Sequence, residues 1–301
     1  MTDAHDRTDR TPEISPEKTV EKIAFQGEPG AYSHLACKQE HPELEPLPCQ
    51  TFEEAIAAVK TGEAKLAMLP VENSTYGRVA DIHALLPGSG LFIIGETFVP
   101  VAIQLMGPKG AKLSDVKSAM SHTVLLGQCR EFLAEHRIRA ITGADTAGSA
   151  RQVFEANDPT QAALASELAA EINGLEILAR DVHDNKHNAT RFLVMSRQKV
   201  EAEPATPKVL TTFIFQVRNV PAALYKAMGG FATNGVNMVK LESYMVDGSF
   251  TATQFLADIE GHPDDPGVRN AMEELAFFTS YRRILGVYPA HPYREAVRLI
   301  V

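Results

Sequence analysis

The stretch KIAFQGEPGAYSHLACKQE, Lys22 to Glu40, sets the reading of the chain. Ile23 to Phe25 is a short apolar run, Gly27 to Ser33 a glycine-bearing turn, and Gly30 to Glu40 a helical pattern. The same order returns with a helix at Thr51 to Lys60 and a strand at Leu66 to Val71. Alternation of this kind signals an α/β layer fold. Thr51-Phe52-Glu53-Glu54 is a capping box: the Thr hydroxyl serves an orphan N–H, Glu54 reaches back, and Ala55, Ile56 and Val59 supply the buried stripe.

Further on, Leu91 to Met106 reads as two strands separated by Pro100, and a second β/α alternation runs through Ala119, Cys129, Ala140, Phe154 and Ala170. Two similar lobes are expected, 22–100 with 179–198 and 101–178. The short strands at Leu175 to Leu178 and Thr190 to Met195 most economically return the chain to the first lobe, which leaves a cleft between lobes for a small ligand. Ser196 to Pro207 is a polar connector. Beyond it, Phe213, Phe215 and Val217 alternate on a strand. Asn219 is expected to cap a helix with Pro221 in its first turn, and Gly235 to end it. Val236 to Val246 and Phe250 to Ile259 flank a tight hairpin at Asp247-Gly248, then Pro266 to Phe277 is helical and Tyr281 to Val287 extended. That is β-α-β-β-α-β, the ferredoxin-like order, over 208–290, followed by a tail at 291–301. Residues 1–21, polar and broken by Pro12 and Pro16, read as a disordered leader.

Composition narrows the function. With 45% hydrophobic and 22% charged residues the 301-residue chain is globular, and 38 acidic against 29 basic residues give a net charge of -9. Nucleic acid and anionic membrane are thereby repelled, while a local anion site stays open. Cys37, Cys49 and Cys129 are an odd, widely spaced set, which fits neither a disulfide framework nor a thiolate zinc site and points to a reducing cytoplasm. His183 and His187 have the i, i+4 spacing of a zinc helix, but the segment separates short strands and Asp184 replaces the usual Glu, so no metal is expected.

Five motifs carry chemistry. Gly27 to Ser33 exposes N–H groups at a helix start, able to hold a carboxylate. Glu72-Asn73-Ser74 places amide and hydroxyl donors after a strand, Ser121-His122 follows another, and Asp145 to Ala150 opens a helix with Asp145 or Thr146 as cap. The last is Asn188-Ala189-Thr190-Arg191-Phe192. In order and spacing over about 22–196, these motifs resemble prephenate dehydratase. Pro221-Ala222-Ala223-Leu224-Tyr225 and Lys240-Leu241-Glu242-Ser243 are similar to the ACT regulatory domain that follows the dehydratase in that family. Thr123-Val124 stand where the family often has Pro-Gln, Tyr244-Met245 where it often has Arg-Pro, and Ala222 where it usually has Gly.

The resemblance implies a two-lobed, periplasmic-binding-protein-like (type 2) catalytic domain and a carbon–oxygen lyase. It would convert prephenate to phenylpyruvate in phenylalanine biosynthesis, with no metal or other cofactor, because the electrons released by decarboxylation leave with the hydroxyl as the ring aromatises. The essential Thr of the family's Thr-Arg-Phe motif falls on Thr190, expected to donate to the departing oxygen. Substrate-binding positions carried over are Ser33, Asn73, Ser74, Ser121, His122, Thr146, Ser149, Arg191 and Phe192, with Arg191 directed at the pyruvyl carboxylate if it reaches substrate. Strand alternation sets Thr190 and Arg191 on opposite faces unless the strand twists or bulges. Effector positions are Ala222, Ala223, Leu224, Glu242 and Ser243, with L-phenylalanine as inhibitor between ACT domains paired in a homodimer or homotetramer. Arogenate in place of prephenate, or a non-catalytic amino acid sensor on the same scaffold, stay open as alternatives.

Overall fold

The computed structural model describes residues 20–185, 187–204, 206–245 and 252–298. The expected leader up to residue 19 and the Asp247-Gly248 turn lie outside them. Among the described residues no helix is long and apolar enough to cross a membrane.

Two sheets organise the N-terminal part. In the first, β1 (Lys22–Gln26) lies parallel to β2 (Glu45–Cys49) and β3 (Leu66–Asn73), with α1 (Tyr32–Glu40) and α2 (Phe52–Thr61) as crossovers. The short β4 (Gly77–Arg78) folds back on β3 and leads into α3 (Ala80–Leu85) and β5 (Phe92–Pro100). The α2 cap forms as its sequence requires: Thr51 Oγ1 accepts from Glu54 N at 3.1 Å. Glu54 reaches one residue further back than expected, accepting from Gln50 N at 2.8 Å.

The second sheet repeats the pattern. β7 (Ser118–Ser121) is parallel to β8 (Arg139–Thr142) and β9 (Gln161–Ala165), and β6 (Gln104–Gly107) runs antiparallel to β9. Around it lie α4 (Thr123–Gly127), α5 (Arg130–Glu135), α6 (Thr146–Ala156) and α7 (Glu167–Asn173). β10 (Glu176–Ala179) also belongs here, paired with β6. The expectation that both short strands return to the first lobe therefore holds only for β11 (Ala189–Ser196), which lies between β3 and β5. Val101 N donates to Asn188 O at 2.8 Å and Val182 N to Ile103 O at 2.9 Å, so the two interlobe crossings run side by side.

The C-terminal unit has β12 (Val209–Val217), α8 (Ala223–Thr233), β13 (Met238–Met245), β14 (Ala252–Glu260), α9 (Pro266–Phe278) and β15 (Thr279–Pro289). Its strand order, β13-β14-β12-β15, is ferredoxin-like. Asn219 does not cap α8; Ala222 does, in the left-handed region at φ 60°, because the chain turns at Arg218–Val220 before the helix begins. α10 (Tyr293–Arg298) occupies the expected tail.

The two parts are continuous. β15 meets β5 in parallel at Gly286 and Ile93, giving one ten-stranded sheet. A Cβ on residue 286 would overlap the Ile93 carbonyl, so this contact requires glycine. Leu210, Ile214, Leu256, Leu285 and Tyr288 pack into the same core as Ala24, Leu69 and Leu193 of the first lobe. Cys37 and Cys129 are buried, and burial pushes both thiols up to about 12, so they behave as small hydrophobes.

Candidate active site

Thr190 and Asn73 face each other on the β11–β3 ladder. Asn73 Nδ2 donates to Thr190 Oγ1 at 3.1 Å and to Asn188 Oδ1 at 2.8 Å. Its Oδ1 accepts from Thr75 N at 2.9 Å and Tyr76 N at 3.0 Å, and since both are backbone donors, the amide can point only one way. Thr190 is thus an acceptor toward Asn73 and keeps its own O–H proton for another partner. Ser74 is engaged on both sides, donating to His187 O at 2.9 Å and accepting from Ala189 N at 3.0 Å.

The lobes meet beside this pair. Tyr76 Oη donates to Val124 O at 3.2 Å, and His122 is the N-cap of α4, its Nδ1 accepting from Val124 N at 3.3 Å. Asp184 N donates to Gln128 O at 2.7 Å. Among the described residues, the buried side-chain polar atoms without a partner are Gln128 Oε1 and Asn188 Nδ2. Both lie at the interlobe crossing, where a buried amide left unpaired costs free energy. Gln128 was not among the expected residues, although a lone amide within Leu125-Leu126-Gly127-Gln128-Cys129 is a signal the sequence offers. Asn188 belongs to a motif yet was not assigned a role.

Several expected positions turn out elsewhere. Arg191 does not enter the cleft; it is 3% exposed and paired with Glu72, Glu96 and Asp258 on the opposite face. Strand alternation and four bonded partners forbid a second engagement with a substrate carboxylate. Phe192 is core, packed with Ile23, Phe25 and Met68. Ser121 is wholly buried and donates to Leu164 O at 2.7 Å, and the Ser149 hydroxyl is taken by Asp145 O, so neither hydroxyl lines the cleft. Ser33 is buried in the first turn of α1, and Thr146 is partly buried at the start of α6. Asp145 caps α6 by accepting from Gly148 N at 2.6 Å. A carboxylate already occupies that helix N-terminus, which weakens it as an anion site. Asp145 faces the Gly27–Pro29 turn across a cavity of about 220 Å³.

In the C-terminal unit, Ala222 is exposed, and Ala223 and Leu224 pack against the unit's core. Glu242 turns toward Arg78 at 3.5 Å and Lys240 at 3.7 Å, whereas Ser243 is exposed. A larger cavity of about 690 Å³ lies between the units, walled by Asn73, Phe98, Ala189, Val239, Tyr293 and Ala296.

The chain is thus a two-lobed α/β unit, with the Thr190 hydroxyl beside the lobe junction, fused to a ferredoxin-like unit. Residues 23–200 match the prephenate dehydratase family model, and the chain belongs to that family, whose members are carbon–oxygen lyases. It is 54% identical to a bifunctional N-acyl-homoserine lactone acylase/prephenate dehydratase of Komagataeibacter europaeus, over 91% of this chain and 97% of that protein. With arogenate dehydratase/prephenate dehydratase 1 of Arabidopsis thaliana it shares 36% identity, over 89% of this chain and 72% of that protein. The crystal structure of prephenate dehydratase from Arthrobacter aurescens in complex with L-Phe superposes with a TM-score of 0.81 at 31% identity, covering 93% of this chain and 98% of that one.

Proposed function

We propose that the protein converts prephenate to phenylpyruvate in phenylalanine biosynthesis in the cytoplasm, with Thr190 donating to the departing hydroxyl. The observation that carries this reading is the fixed Asn73 amide, which leaves the Thr190 O–H as a donor. The ring carboxylate leaves as carbon dioxide, its bonding electrons aromatise the ring, and the C4–O bond breaks with its electrons on oxygen. A proton delivered through Thr190 and replaced from water turns the leaving hydroxide into water. Stabilisation of this kind contributes roughly 10²- to 10⁴-fold. Asn188 Nδ2 and the Gln128 amide are the groups we assign to the substrate's polar ends, with Ser74, His122, Ser33 and Thr146 at the margin. Thr190→Val should abolish the alkaline ultraviolet absorbance of phenylpyruvate formed from prephenate, while Thr190→Ser keeps part of it; equal turnover by the Val variant would falsify the assignment.

Arogenate remains the alternative substrate, supported by the plant relative's name, and turnover of the two acids side by side decides between them. Membership of a lyase family removes the non-catalytic sensor reading.

The C-terminal unit is read as an ACT domain that binds L-phenylalanine as feedback inhibitor and pairs subunits. Support comes from its ferredoxin-like order, from the absence of a side-chain cap on α8 at Ala222, which leaves the Ala223 and Leu224 end open to a carboxylate, and from the L-Phe complex of the 31% identical relative. Exposed Tyr225, Phe277 and Tyr281 on this unit suit a subunit contact. Added L-phenylalanine should shift apparent substrate affinity and oligomer size; neither changing removes the proposal.

A second reading is amide hydrolysis of N-acyl-homoserine lactones, as in the name of the 54% identical relative. The apolar walls of the 690 Å³ cavity, Phe98, Val239 and Ala296 among them, would suit an acyl chain. Release of free homoserine lactone from such a substrate tests it directly.

A further inference from the structure

We infer that Arg191 is a positioning residue: it ties the strand rung carrying Thr190 and Asn73 to the C-terminal unit and so sets how Thr190 is presented. The inference rests on the reading of Thr190 given above, and its test separates the two.

On β11 and β3, Thr190 stands opposite Asn73 and, one rung on, Arg191 stands opposite Glu72. Successive side chains point to opposite faces, so one rung serves the cleft and the next looks toward the C-terminal unit. Between Arg191 and Phe192 the register shifts. Such an irregularity interrupts the ladder on the β3 side, while pairing with β5 runs unbroken from Ala189 to Val194; backbone bonds hold the strand but do not tie this rung to the C-terminal unit.

The Arg191 guanidinium does. Nε donates to Glu96 at 2.7 Å, one Nη to both Glu72 at 2.8 Å and Asp258 at 2.7 Å, and the other to Tyr288 Oη at 2.9 Å. These partners lie on β3, β5, β14 and β15, on both sides of the junction, and a planar fork held by four partners has no rotational freedom left. Thr212 donates to Asp258 Oδ1 at 2.7 Å and lies 2.7 Å from Tyr288 Oη, so the far side is itself braced. Lys240 of β13 pairs with the other Glu72 oxygen, and Arg294 of α10 grips Glu96 at 2.6 and 2.8 Å.

Arg191, Lys240 and Arg294 thus balance Glu72, Glu96 and Asp258. Relative to apolar packing a buried cluster like this adds little stability, whereas removing one member leaves its partners unpaired. What it supplies here is geometry. A second tie across the junction, Tyr244 Oη to His83 Nδ1 at 2.7 Å, joins β13 to α3 and reaches β3 only through the Val71 carbonyl, touching none of Thr190, Asn73 and Arg191, which makes it a control.

The test is steady-state turnover of prephenate by the full chain carrying Asp258→Asn, Tyr288→Phe, Arg191→Lys or Tyr244→Phe, beside wild type and Thr190→Val. Because a shift of about 1 Å at reacting groups can cost about 10²-fold, Asp258→Asn and Tyr288→Phe should lower kcat by about 10- to 100-fold with KM within about threefold. Arg191→Lys, with charge but no fork, should retain part of the rate. Tyr244→Phe should lower the melting temperature and keep kcat. Wild-type kcat in both Asp258→Asn and Tyr288→Phe overturns the inference; so does an equal loss in Tyr244→Phe, which would assign the effect to docking in general. Tyr288→Phe removes a single oxygen and serves where the charge variant does not fold. Undiminished turnover by Thr190→Val would instead sink the reading of the site, and this inference with it.

Discussion

Asn73 Nδ2 lies 3.1 Å from Thr190 Oγ1 and donates to it, which makes the threonine hydroxyl an acceptor on one side and a donor on the other. Asn73→Asp is therefore more informative than a truncation. The Asp carboxylate would still accept from Thr75 N and Tyr76 N, but it would also claim the Thr190 proton. Turnover of prephenate should fall by roughly 10²- to 10³-fold in Asn73→Asp and by less in Asn73→Ala, with folding preserved in both. A rate for the Asp variant equal to that of the Ala variant would refute the proton assignment.

Gln128 gives an opposite pairing of stability and activity. Its Oε1 is buried without a partner, so Gln128→Met should raise stability by about 1 kcal/mol in urea titrations while turnover falls at least about tenfold. A loss of stability with unchanged kcat would show the amide to be structural.

Much of this architecture is legible in the sequence because it is local. The β/α alternation, the Thr51 and Asp145 caps and the ferredoxin-like order each depend on residues within a few positions of one another. Strand alternation already sets Arg191 opposite Thr190, but its place in the ion cluster is not legible because its deciding partners are distant, Asp258 and Tyr288 being 67 and 97 residues away. Ser121 and Ser149 failed for a related reason: a motif shows that a hydroxyl is present, not whether a carbonyl such as Leu164 O already holds its proton. β10 defeated an argument from economy, since nothing near 176–179 announces that its partner is β6.

Gly286 is the close approach that lets β15 meet β5. Gly286→Ala drives a methyl group into the Ile93 carbonyl, and relief requires backbone movement. We expect about 1–3 kcal/mol of destabilisation and faster proteolysis between residues 196 and 209, measured against Gly88→Ala, where an added methyl group meets open space, as a comparison.

His83 gives the junction a pH dependence. Nε2 donates to Val71 O at 3.0 Å, and in the neutral ring Nδ1 then accepts from the Tyr244 hydroxyl. Burial first, and Lys240 second, hold its pKa below the usual 6.5. The unfolded chain therefore takes up the proton more readily. Stability is intact above pH 6.5 and declines as pH falls from there toward the lowered folded value, by at most about 1.4 kcal/mol per unit. His34, depressed by burial and then by Lys38, acts in the same direction. Glu72 enters much lower: although burial alone would raise it, Arg191 and Lys240 bring it down to about 2, so its contribution fades only from pH 4.5 toward 2. Chemical denaturation at pH 7.5, 6 and 5 should show a shallower decline in His83→Gln than in wild type; parallel curves would rule His83 out.

The first lobe receives Leu210, Ile214, Leu256, Leu285 and Tyr288 from across the junction as part of its own interior. Halves taken from different relatives would then be a poor recombination, because each brings a plug cut for another socket. Chimeras joined at the 197–208 connector should need those five side chains and their facing residues transplanted together, and family members are expected to diversify this seam as one inherited block.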